Sequence, residues 1–192
     1  MERLCRVAYL LAPLPALLAI PVAASMSPWW RLWFNAISDL GNPFKSGPIA
    51  AAVIDSAYVL TGIILGIVSY CYKAFSRAER ILLFLVGYTL SIVGVVNESY
   101  GPLHFAVSVA FFLTLAACIV AFAVYSIARL RRLLPAILYL AGVAACIVMW
   151  YYHFTAGLPP GAAIPELVSV ALFLSYYYPR SMISTGTVRG TG

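Results

Sequence analysis

Six apolar runs, each close to the length that crosses a bilayer as a helix, constrain this chain more than any other feature. They cover residues 7–24, 48–72, 81–96, 103–128, 133–152 and 162–178. A helix needs roughly 20 apolar residues to span the hydrocarbon of a membrane. Lipid offers the backbone no hydrogen-bond partners, so each run must satisfy its own amides, and a helix does this within one segment. The alternating pattern of a membrane β-barrel is absent. Composition agrees: hydrophobic types make up 64% and charged types 9%, whereas a soluble domain carries roughly 25% charged residues. The expected fold is all-α: a polytopic bundle of six transmembrane helices forming one domain over residues 1–180. A disordered cytoplasmic tail is expected over 181–192.

The net charge of +6 does not point to nucleic acid, because the basic residues form no patch on a soluble surface. They sit in short clusters between apolar runs, the pattern of the positive-inside rule. One set of connections carries Arg3, Arg6, Lys73, Arg77, Arg80, Arg129, Arg131, Arg132, Arg180 and Arg189; the other carries only Arg31 and Lys45. That split places both termini in the cytoplasm of a cell-membrane protein whose partners are membrane lipids. The first run has a second reading. A basic start, an apolar stretch and Val22-Ala23-Ala24-Ser25 resemble a cleavable signal peptide. Pro13, Pro15 and Pro21 are equally at home in a membrane helix.

Trp150 to Tyr152 and Tyr176 to Tyr178 fall at helix ends, where amphipathic rings favour the interface. Gly62 and Gly66 form a G-x-x-x-G, a spacing that lets helices approach closely. Cys5, Cys71, Cys118 and Cys146 form no C-x-x-C pair and read as lone small hydrophobes. Glutamine is absent and asparagine rare, a thermophile pattern that a membrane composition also produces.

Segment 27–41 is the most structured external connection. Ser27 suits an N-cap, Pro28 a first helical position and Gly41 a stop. Trp29, Trp30, Trp33, Phe34, Ile37 and Leu40 fall on one helical face, with Arg31, Asn35 and Asp39 opposite. The expectation is a short amphipathic helix in the outer interface, either a lipid anchor or a lid over a site between the helices.

Asp39, Asp55, Glu98, His104, His153 and Glu166 all fall on the external side of this topology. Asp55 lies about 10 Å into the second span at about 1.5 Å per residue, and an intramembrane acid is a functional candidate by default. Glu166 follows Pro165 in a helical first turn, where the dipole favours a negative charge. Arg31, Lys45, Asn97 and the two histidines are the available partners. Glu98 and His153 sit in turns, where solvation alone explains them. Two histidines with several carboxylates offer zinc or another divalent ion a ligand set. No H-E-x-x-H, G-x-S-x-G or P-loop is present.

Three short motifs occur in order: Ile37-Ser38-Asp39-Leu40-Gly41, Val53-Ile54-Asp55-Ser56, and Gly101-Pro102-Leu103-His104 before a Phe-rich run. In these the chain resembles the multi-pass membrane proteins grouped as domain of unknown function 998. That family often carries Phe-Asn where this chain has Ile54-Asp55. The resemblance implies a six-helix fold, draws attention to Asp39 and His104, and supplies no activity.

Three functions compete. One is a binding or structural membrane protein with a polar pocket opening outward, for a small ligand, a lipid headgroup or a cation. Another is a membrane-embedded hydrolase or transferase acting on lipids, with a carboxylate or metal-bound water as base. A proton- or cation-coupled carrier is disfavoured: the inner halves of the spans show no acid or histidine, and there is no inverted repeat.

Overall fold

The computed structural model describes residues 2–72 and 75–183. Lys73, Arg189 and the part of the expected tail from residue 184 onward lie outside the described residues. Among the described residues eight α-helices follow in order: α1 (Glu2–Leu11), α2 (Leu14–Ser25), α3 (Pro43–Ser46), α4 (Pro48–Cys71), α5 (Arg77–Val95), α6 (Pro102–Ala128), α7 (Leu133–Ala156) and α8 (Ala163–Ile183). The first apolar run is therefore one span broken in two. Pro13 has no N–H to give and its ring clashes with the preceding turn, so α1 stops at Leu11 and a new helix starts beyond it.

Five spans meet the length and apolarity needed to cross a membrane: Arg3–Ser25, Pro48–Cys71, Arg77–Val95, Pro102–Ala128 and Leu133–Ala156. They run up and down alternately, and α8 packs beside α6 and α7. The first span packs into the bundle, with Tyr9, Ala19 and Ala23 buried and the Ala16 N–H bonded to Thr61 Oγ1 at 3.0 Å. The outer surface is apolar. Leu4, Ile49, Ile67, Leu113, Leu134 and Ile147 are exposed, as lipid-facing residues should be.

The tightest helix pair is α4 with α5. A Cβ on Gly62 would sit 2.2 Å from the Gly87 carbonyl oxygen, and one on Gly87 would sit 2.5 Å from that of Gly62. Only glycine admits this approach. The same atom on Gly66 meets nothing nearer than Phe84, at 3.9 Å. The G-x-x-x-G is thus a packing device, as expected, but its first glycine carries the contact.

Two expectations are corrected here. Cys5 and Cys71 are not lone hydrophobes; they form a disulfide with Cα atoms 6.0 Å apart. They are 66 residues apart in sequence and meet only because α1 returns to the far end of α4. Cys118 is buried and Cys146 half-buried, both free. Two of the three tyrosines near the end of α8 face inward, and Tyr178 alone stays half-exposed. Tyr176 and Tyr177 are 2% and 0% exposed. Tyr177 stacks on Tyr9 at 4.3 Å, and each hydroxyl donates to the other residue's carbonyl. Depth along the helix was legible, but the face was not.

Candidate functional site

Connections 26–47, 96–101 and 157–162 share one end of the bundle, and every acid and histidine singled out from the sequence lies at or near it. The expected amphipathic helix over 27–41 does not form. The segment is a set of turns ending in a 3-10 turn, Ser38–Gly41. Its polar side chains take the amides that a helix would have used. Asn35 Oδ1 accepts from the Arg31 N–H at 2.7 Å, and Asp39 Oδ2 accepts from the Ala36 N–H at 2.9 Å. Glu166 Oε2 takes the Ile37 N–H at 2.6 Å. The carbonyls of Trp33 and Asn35 accept from Gly161 and Ala163. These bonds hold the segment across the start of α8 as a lid, with Ile37 and Leu40 buried beneath it.

The sequence candidates separate into three groups. Asp39 pairs with Lys45 Nζ at 2.8 Å, and that bond raises the Lys45 ammonium above its ordinary value. Arg31 bonds the carbonyls of Pro28 and Trp30, and Asn35 serves Arg31, so both stabilise the lid itself. Asp55 accepts from Asn97 Nδ2 at 3.0 Å, and its Oδ1 would lie 2.4 Å from a Cβ on Gly41. It ties α4 to the turn after α5 and to the end of the lid. Neither Asp39 nor Asp55 lines the two cavities described below.

The remaining four, Glu98, His104, His153 and Glu166, share the wall of a cavity of about 710 Å³ between α6, α7 and α8. His104 is buried, with Nδ1 2.6 Å from the Val96 carbonyl. His153 Nδ1 lies 2.7 Å from the Pro159 carbonyl. A carbonyl only accepts, so in each ring Nδ1 carries the proton and a neutral ring offers Nε2 as an acceptor. Nε2 of His104 faces Ser108 Oγ at 3.2 Å and Glu98 Oε2 at 3.5 Å. Burial pushes the Glu98 carboxyl above its ordinary value, and the His104 ring opposes that shift. Deeper in, the wall is apolar: Leu115, Ala116, Ile119, Val143, Ile147 and Leu172. His104 and Ile119 lie fifteen residues apart on α6, about 22 Å at about 1.5 Å per residue. The cavity is a long apolar trough with a polar mouth. A smaller cavity of about 90 Å³ shares Ser38, Ser108 and Glu166 and runs toward Thr61 and Tyr58. Among the described residues, no three His, Cys, Asp or Glu side chains converge as a metal-ligating group.

The family model for the proteins of unknown function DUF998 matches residues 10–178. The chain belongs to the DUF998 family. No curated protein and no solved structure matches it at a significant level.

Sequence reasoning about this DUF998 chain missed several polar residues inside apolar runs. Ser108, Trp150 and Ser169 line the cavity, and Trp150 Nε1 donates to Ser169 Oγ at 3.2 Å. Single serines are common in membrane helices, so no local signal marks Ser108 and Ser169, and Trp150 read only as an interfacial ring. Glu79 lies at the other end of the bundle, in the Lys/Arg-rich connection before α5. It is 0% exposed. It closes a capping box with Ser76 at the start of α5 and accepts from the Tyr176 hydroxyl at 3.1 Å. Ser76-Arg77-Ala78-Glu79 before an apolar run is the motif's signature. The DUF998 chain therefore buries an acid at each end of its bundle.

Proposed function

We propose that this protein holds an amphiphile in the cavity between α6, α7 and α8, with the apolar tail inward and the headgroup at the His104–His153–Glu98–Glu166 mouth. One observation carries the reading: the cavity of about 710 Å³ is apolar along its depth and polar only at the lidded end. Its size lies within the roughly 300–1,000 Å³ of ligand sites. The skew of basic residues toward the other end supports a mouth on the extracytoplasmic side and both termini in the cytoplasm.

A neutral alkyl alcohol brominated at mid-chain tests this in a lipid nanodisc. In a variant with Trp29, Trp30 and Trp33 changed to Phe, it should quench Trp150 saturably. Ala116→Phe, which fills the trough, should abolish that quenching. Quenching unaffected by Ala116→Phe contradicts the reading.

A second reading rests on Ser108 Oγ lying 3.2 Å from His104 Nε2, with the Val96 carbonyl orienting the ring. That is the layout of a nucleophile and its base, and it supports an acyl-transfer enzyme acting on the bound amphiphile. Covalent labelling of Ser108 by an alkyl fluorophosphonate, lost in His104→Ala, tests it.

A further inference from the structure

We infer that the amphiphile, whose binding is itself the proposal above, is a single-chain molecule carrying a primary ammonium headgroup. The argument starts from a shortage of donors at the mouth. Among the described residues no lysine or arginine lines the cavity, and Lys45, the cation that acts on Glu98, is paired with Asp39. Both histidines commit their Nδ1 protons to backbone carbonyls, Val96 and Pro159. Glu98 Oε2 faces His104 Nε2 at 3.5 Å. Ser108 Oγ faces the same nitrogen, so a proton held between ring and carboxyl is used within the pair and leaves no donor to spare for the mouth. Glu166 is 7% exposed and lines the same wall. Its Oε2 takes the Ile37 N–H, and among the described residues no lysine or arginine pairs with it.

Such a mouth repels phosphate or sulfate and rewards a headgroup that brings donors and positive charge. A primary ammonium brings three N–H donors and no acceptor, and its bonds to carboxylates are charge-assisted. Aromatic rings supply a second, independent attraction. Trp150 packs against Phe112 at 5.2 Å and Phe154 at 5.5 Å, and Phe105 packs against Phe154 at 5.9 Å. These rings line the cavity beside His153, and ring faces attract cations. The volume of about 710 Å³ is that of a drug-sized ligand. It suits one alkyl chain with a small headgroup rather than a two-chain phospholipid.

The test uses the full chain in nanodiscs of phosphatidylcholine, read by Trp150 quenching. Four probes share one brominated chain: a primary amine, a trimethylammonium, an alcohol and a sulfate. The amine should reach half-quenching at a concentration about tenfold below the alcohol, the effect of one charge-assisted hydrogen bond, with the sulfate weakest. Glu98→Gln, which keeps the size of the side chain and removes its charge, should erase the amine's advantage over the alcohol. Ala116→Phe separates cavity binding from simple partition into lipid. An alcohol or trimethylammonium that binds as tightly as the amine overturns the ammonium assignment while the cavity stands. An amine advantage that survives Glu98→Gln overturns the role of the mouth. Absence of any quenching sensitive to Ala116→Phe overturns the amphiphile reading itself.

Discussion

The Ile37 N–H donates to Glu166 Oε2 across 2.6 Å, joining residues 129 apart in sequence. This bond fastens the lid to the helix that forms one wall of the cavity. Glu166 therefore has a structural task as well as a place in the mouth. Glu166→Ala leaves a buried amide without its partner, a cost of about 1–3 kcal/mol. Glu166→Gln keeps an acceptor oxygen and should recover most of that loss. Thermal unfolding in detergent, with protease cleavage inside 27–41 as a second readout, checks the pair. Equal stability of Glu166→Ala and wild type would show that the lid does not depend on this bond.

Asp55 faces the side-chain amide of Asn97 and lines neither of the two cavities. An amide oxygen at position 55 can accept the same bond without bringing a carboxylate into the bilayer, where charge is costly. Asp55→Asn should match or slightly exceed wild-type stability, whereas Asp55→Leu should lose about 1–3 kcal/mol by stranding Asn97. Loss of ligand binding in a stable Asp55→Asn protein would instead give Asp55 a functional role.

The α4–α5 contact distinguishes two glycines four residues apart. A methyl group at Gly62 collides with the Gly87 carbonyl, which is backbone and cannot rotate away. The same group at Gly66 is in ordinary contact with Phe84. Gly62→Ala should cost about 1–3 kcal/mol as an overpacked site, and Gly66→Ala should be close to neutral. Unfolding midpoints of the two variants in one detergent decide this, and equal effects would contradict the packing described here.

Cys5–Cys71 closes a loop of 66 residues. Chain entropy alone sets an upper value of about 4 kcal/mol for its contribution, and inserted spans already restrain the unfolded chain, so the effect should be smaller. Mild reductant should lower the unfolding midpoint of wild type and leave Cys5→Ser unchanged. Thiol titration of the unfolded, unreduced protein should find two free cysteines, Cys118 and Cys146. The disulfide lies at the basic end, which the proposed orientation puts in the cytoplasm. Disulfides are rare in the mesophile cytosol and common in that of hyperthermophiles. Four titratable thiols in protein freshly extracted from its membrane would show that the bridge does not form there.

Five of the six expected spans were legible because lipid imposes a length and an apolarity that a sequence displays directly; the run at 162–178 is a helix, but it is not among the five described helices long and apolar enough to cross. The pairing of Cys5 with Cys71 and the inward turn of Tyr176 and Tyr177 were not legible, because each depends on which helices become neighbours. Segment 27–41 shows the competition in its clearest form. Ser27, Pro28 and Gly41 are correct helix punctuation, and the apolar period is helical. Yet Asn35, Asp39 and Glu166 capture the amides of Arg31, Ala36 and Ile37, and Glu166 does so from 129 residues away. The site was half legible. One-sided placement of the acids and histidines followed from topology. The division between lid supports, helix ties and cavity wall required the fold. Ser108 gave no local signal, and Trp150 read only as an interfacial ring.

Native mass spectrometry of the protein extracted gently from its own membrane addresses the cavity most directly. Wild type should carry one adduct of discrete mass, consistent with a single-chain amphiphile, and Ala116→Phe should fly bare. Bare protein in both, or the same adduct in both, would contradict occupancy of the space between α6, α7 and α8.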